Sequence, residues 1–124
     1  MAGKPAPKRR AAWRFGLFAE HLAAALLRLK GYRILATRFK TTVGEIDIVA
    51  RRADLIAFVE VKARADLAAA ADALGPRQRQ RIERAALAFM ARHPHMAGQF
   101  MRFDVILVTA WKLPRHIIDA WRPD

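Results

Sequence analysis

The sequence predicts an α/β fold: one mixed β-sheet of about five strands flanked by helices, in the order α-β-β-β-α-β-β. Three observations predict it. Two stretches, 11–30 and 76–92, repeat apolar residues at spacings of three and four, which is the period of a helix. Between them GEIDIVARRADLIAFVEVKAR, residues 44–64, reads as two apolar strands joined by a polar turn. After the second helix MRFDVILVT, 101–109, reads as a buried strand.

In chain order, residues 1–10 hold two prolines and four basic side chains, and are expected to form a disordered basic arm outside a single domain at 11–124. The first helix runs from Ala11 to Lys30 and stops at Gly31, a residue suited to a left-handed cap. Trp13, Leu17, Glu20, Ala24 and Leu27 share one of its faces, so Glu20 falls within an apolar stripe. A carboxylate there needs a partner, either a nearby arginine or a site beyond the helix. Tyr32 to Lys40 forms a first strand, and Thr41 to Gly44 turns it into the central hairpin.

Asp66 to Leu74 is alanine-rich and reads equally as a short helix or a loop. Gly75-Pro76 opens the second helix, whose buried stripe is Ile82, Ala85, Ala86 and Phe89. Arg77, Arg81 and Arg84 recur on a neighbouring face. Such a row can grip a phosphate backbone, or simply keep a helix in solution. His93-Pro94-His95 ends the helix in a turn; without supporting ligands these histidines read as loop residues. A short strand at 116–121 closes the sheet. Asp104 is expected to be structural or at a rim, and Trp111 and Trp121 to close the core.

Composition limits the function. The chain has 124 residues, enough for one domain with its own core, and no cysteine, which excludes disulfides and thiolate metal sites and fits a cytoplasmic location. Its formal charge is +12, and the distribution is uneven. Residues 1–40 carry ten basic and one acidic side chain, 41–75 four and six, and 76–124 nine and four. Basic flanks around an acidic middle suit a polyanionic partner, nucleic acid first. Leu22 to Leu27, the most apolar run of the first helix, is bounded by His21 and Arg28, so no membrane span is expected. Arg14, Glu20 and His21 interrupt the apolar stretch after MAGKPAPKRR, which argues against an export signal.

The acidic middle carries the functional argument. Glu45, Asp47 and Val49 lie on one side of the first hairpin strand; Ile56, Phe58, Glu60 and Lys62 share one side of the second. A turn with an even number of residues sets Asp47 across from or diagonal to Glu60, whereas an odd number separates them. Two carboxylates buried together cost several kcal/mol unless a cation or a shared proton relieves them. Oxygen donors favour magnesium or manganese. Lys62 points the same way as Glu60 and adds a fixed positive charge that can hold a water or a phosphate oxygen. A solvated sheet face would also carry such charges, but Leu55 to Val61 is apolar on both sides before Glu60, which marks a central strand.

An inward glutamate on a helix, a strand ending in a carboxylate, Glu60-Val61-Lys62 on the next strand and then a basic helix resemble the PD-(D/E)XK nuclease superfamily, with its restriction endonuclease-like core. More narrowly, FAEHLAAALLRLKGYRIL, VGEIDIVA, FVEVKAR and RIERAALAFM resemble the YraN-like family of small bacterial proteins, over roughly residues 13–121. The resemblance implies that Asp47, Glu60 and the Val61 carbonyl bind Mg2+ (or Mn2+), that Lys62 orients or activates water, and that Glu20 serves as the helix-borne acid. Glu45 belongs to the family pattern as a supporting residue. The implied reaction is hydrolysis of a DNA phosphodiester, with branched, Holliday-junction-like DNA as the substrate class; a non-catalytic nucleic-acid-binding module is the alternative. Resolvases with similar cores often act as homodimers, although no dimer face is legible in the sequence. Many members carry a lysine in the helix after the E-x-K strand, where this chain has Arg77, Gln78, Arg79, Gln80 and Arg81, which keep charge rather than proton-transfer capacity.

Overall fold

The computed structural model describes residues 7–64, 74–109 and 112–124. Helix α1 spans Pro7–Leu29, strands β1, β2 and β3 span Arg33–Lys40, Glu45–Arg52 and Leu55–Arg64, helix α2 spans Pro76–Arg92, and strands β4 and β5 span Phe100–Thr109 and Arg115–Trp121. A single 3-10 turn, Pro94–Met96, follows α2. The order α-β-β-β-α-β-β and the mixed five-stranded sheet are those expected. Helix α1 begins four residues before Ala11, so residues 7–10, expected in the arm, are helical. The rest of that arm, the 66–73 part of the alanine-rich stretch, Trp111 and the side chain of Trp13 lie outside the described residues.

The strands lie in the order β1-β2-β3-β4-β5. Neighbours are antiparallel except β3 and β4, which run parallel in register from Leu55↔Phe100 to Arg64↔Thr109. A parallel pair needs a crossover, and α2 lies within it. β3 is therefore the middle strand, and Ile56, Ala57, Phe58 and Val59 are fully buried on both of its faces. One apolar layer, beneath α2, joins Ile82, Ala85, Ala86 and Phe89 to Phe58, Phe103 and Trp121. The other, beneath α1, joins Ala19, Ala23, Ala24 and Leu27 to Ile48, Ala57, Val59 and Ile106. Small alanines on α1 let the helix axis approach the sheet closely.

Local chemistry fixes the ends. Gly31 takes φ +89°, the Tyr32 N–H donates to the Leu27 carbonyl at 2.9 Å, and the Gly31 N–H donates to that of Arg28 at 3.0 Å. These bonds form a Schellman cap, with Tyr32 and Leu27 both in the layer under α1. The Thr41 hydroxyl oxygen accepts the N–H groups of Val43 and Gly44 at 3.1 and 3.0 Å, which shapes the turn into β2. Among the described residues no helix is long and apolar enough to cross a membrane.

Candidate active site

The hairpin turn between β2 and β3 has two residues, Ala53 and Asp54, since Arg52 pairs with Leu55. The even count sets Ile48 opposite Val59, and one step further along brings Asp47 level with Glu60. The Asp47 Oδ2 accepts the Val61 N–H at 2.8 Å, so this side chain takes the place of a ladder partner at the end of the pair. In a strand the N–H and C=O of one residue point to the same side, which turns the Val61 carbonyl toward Asp47 as well.

Glu60 is 7% exposed and Lys62 also 7% exposed, a depth at which charges are paired. The Lys62 Nζ stands 3.0 Å from the Glu60 Oε1, and the Gln78 amide donates to the same oxygen at 3.0 Å. Burial, then the negative charge of Glu60, push the Asp47 carboxyl up to about 8. The Val61 N–H works in the opposite sense, while the hydrogen bond with Glu60 and the charge of Glu20 raise it further. Without a cation the acid pair therefore holds a proton at neutral pH.

Glu20 sits half-buried on α1, and the Arg38 Nε donates to its Oε2 at 2.9 Å. The arginine partner considered for this helix-borne acid is present, and Glu20 still acts on Asp47 through its charge. Arg38 reaches it from an unusual backbone conformation, φ +51°. Asp47, Glu60 and Glu45 open into a cleft of about 550 Å3 whose other wall is the start of α2, with Arg77, Gln78 and Arg81. The arginine row divides: Arg77 and Arg81 face the acids, whereas Arg84 lines a different cleft further along the helix.

Gly44 sets the distance between the two walls. A Cβ there would lie 2.2 Å from the Arg81 carbonyl oxygen, so only glycine lets the turn before β2 touch the backbone of α2. The glycine of GEID is thus a packing requirement that brings the arginines over the acids.

Two carboxylates and a strand carbonyl form an all-oxygen donor set, and magnesium is commonly held by one or two carboxylates with the rest of its shell left to water and phosphate. The set fits such an ion, since a cation would replace the proton that Asp47 retains. Among the described residues no group of three or more His, Asp or Glu side chains is placed to hold a metal. His93 instead stacks on Phe89, with ring centroids 4.0 Å apart, and its Nδ1 lies 2.7 Å from the Phe89 carbonyl, as a structural turn residue would.

Gln78 and Arg38 were not singled out as site residues from sequence. Gln78 had a signal: it stands four residues before Ile82 and so extends the buried stripe of α2 with a polar side chain. Arg38 had none, because its direction depends on one left-handed backbone residue. A second polar cluster was also missed. Asp104 is fully buried; Arg102 grips it with two bonds of 2.8 and 2.7 Å, and His116 and the Asp119 N–H reach it at 2.8 and 3.0 Å. It is structural, not at a rim.

Fold and site together define an α/β protein whose central strand carries a buried carboxylate and lysine opposite a second carboxylate, below a basic helix. The chain belongs to the family described as Uncharacterised protein family UPF0102, whose model matches residues 19–108, and this is the YraN-like family its motifs resemble. It is 58% identical to the UPF0102 protein amb4503 of Paramagnetospirillum magneticum, over 97% of this chain and 96% of that one. A UPF0102 protein of Parvibaculum lavamentivorans is 58% identical over 91% of this chain and 85% of its own, and one of Bradyrhizobium sp. 60% identical over 95% and 88%.

Proposed function

We propose that this chain is a metal-dependent nuclease acting in the cytoplasm on phosphodiester bonds of DNA, with branched DNA as its substrate class. The observation that carries the reading is the meeting of Asp47 and Glu60 in one cleft walled by Arg77 and Arg81, with the Lys62 ammonium 3.0 Å from Glu60. Asp47, Glu60 and the Val61 carbonyl would hold magnesium or manganese. Such an ion supplies Lewis acidity toward the phosphoryl group and a lowered pKa for water.

The chain's own residues do the rest. Gln78 and Lys62 both donate to the Glu60 Oε1 and fix its orientation. The Lys62 ammonium has further N–H groups, which point a water at phosphorus or bind a phosphate oxygen as charge builds on it. Arg77 and Arg81 hold the flanking phosphates, a task for which planar guanidinium is suited. Glu20, held by Arg38, keeps negative charge near Asp47 and so favours a cation there.

Purified protein incubated with branched, single-stranded and duplex DNA and magnesium tests the reading. Cleavage is expected, falling by about a hundredfold or more in Asp47→Asn and in Lys62→Met. No cleavage of any of the three, or cleavage indifferent to both changes, removes it.

One observation favours a second reading, a binding module without catalysis. The α2 side chain that reaches Glu60 is the neutral amide of Gln78, which transfers no proton. Binding would then be salt-sensitive and unaffected by a chelator.

A further inference from the structure

On the α2 side of the sheet, beyond the acid cleft, a second cleft of about 690 Å3 opens between α2 and the strands β4 and β5. Leu87, Met101, Phe103 and Trp121 line it, and Arg84 and Arg122 stand at it. Leu87 is 64% and Met101 38% exposed, a large apolar area to leave facing water. Phe58, Phe103 and Trp121 are stacked in series, with centroids 5.7 and 5.2 Å apart and planes 29° and 25° apart. Trp121 ends that series, held by its indole N–H, which donates to the Glu83 Oε1 at 3.1 Å.

Two features join this cleft to the acid site. Trp121 also lines a smaller cavity, about 150 Å3, whose wall includes Lys62. The row Arg77, Arg81 and Arg84 runs from one cleft to the other, seven residues of helix or about 10 Å. That length spans a few phosphates of one strand at most. Asp119 already pairs with Arg122 at 2.8 Å, so an apolar peptide side chain would fill the cleft and leave the exposed Arg84 unanswered. A duplex would satisfy the cations and keep its bases out of the cleft.

We infer that the cleft takes an unpaired nucleobase from the strand whose phosphates lie along Arg77, Arg81 and Arg84. The base packs its face on the exposed Leu87 and Met101 side chains, with Trp121, 8% exposed, meeting it only at its rim, and Arg84 holds its phosphate. The substrate is then DNA with unpaired nucleotides close to the bond at Asp47 and Glu60, a clause that rests on the nuclease reading. Branch points and flaps offer such nucleotides.

Fluorescence anisotropy of the full chain in EDTA tests it with three probes: a ten-nucleotide oligothymidylate, the same backbone with abasic central positions, and a ten-base-pair duplex. The abasic strand keeps every phosphate, so the row alone predicts equal affinity. The base cleft predicts about tenfold weaker binding, the factor expected of one stacked base. Leu87→Gln and Met101→Gln, at exposed positions, are expected to erase that difference and leave duplex binding unchanged. Equal affinity for both single strands overturns the inference and leaves the nuclease reading standing. No binding to any probe overturns the inference as well, and the cleavage assay with magnesium then decides the nuclease reading separately. A dimer that Leu87→Gln dissociates would show the cleft covered by a second copy, and also overturns it.

Discussion

Asp47 and Asp104 are both buried, and their surroundings move them in opposite directions. Asp47 meets a second carboxylate and is raised to about 8; at Asp104 burial also acts upward, but bonds from His116, Arg102 and the Asp119 N–H outweigh it and hold the group at about 2. The signs for stability follow from proton counts. Folded protein keeps a proton on Asp47 that the unfolded chain has released above pH 3.8, so unfolding releases it and rising pH favours the unfolded state. In EDTA the melting temperature should fall between about pH 4 and pH 8 from this group and level off above, and Asp47→Asn should flatten that slope. Asp104 acts conversely: its contribution is present above pH 3.8 and is lost as pH falls toward 2. Asp104→Asn leaves Arg102 without its ion-pair partner and should cost about 3 kcal/mol in urea unfolding, without altering metal affinity. A stability loss below about 0.5 kcal/mol would mean that the cluster does not pin β5 to β4.

At the scale of elements, the site depends on how close α2 stands to the turn before β2. Gly44→Ala forces a Cβ against the Arg81 carbonyl, and overpacking of that kind costs about 1–3 kcal/mol. The wall bearing Arg77, Gln78 and Arg81 must then shift away from Glu60. Gly98→Ala is the control, since nothing stands within 4 Å of the added carbon. Denaturant unfolding should show the loss at position 44 alone, accompanied there by weaker DNA binding. Much of this arrangement was legible in sequence, because strand alternation and a β-strand apolar on both faces are local patterns. Sequence leaves the turn parity open; the pairing of Arg52 with Leu55 makes it even and sets Asp47 level with Glu60. Gln78, Arg38 and the division of the arginine row were not legible, since each depends on where α2 crosses the sheet or on one residue with positive φ. The depth of Asp104 was hidden for the same reason: its partners come from β4 and β5 and are assembled only by pairing.

For the whole molecule, a net charge of +12 around an acidic cleft raises the question of whether the charge binds generally or at one place. General attraction would spread over 23 basic side chains, and removing three would change little. A strand seated along α2 makes a different demand, because each phosphate neutralised releases condensed counterions, and log affinity falls with log salt by about 0.9 per contact on duplex and about 0.7 on single strands. The triple variant Arg77→Ala, Arg81→Ala, Arg84→Ala should therefore reduce the salt slope by about two to three units, with melting temperature nearly unchanged because all three side chains are exposed. Titrations of single-stranded and duplex DNA between 50 and 200 mM salt, of the order used for such slopes, read it directly. A slope that survives the triple change would place the phosphate contacts elsewhere on the surface, and α2 would then cover the sheet without guiding DNA to Asp47 and Glu60.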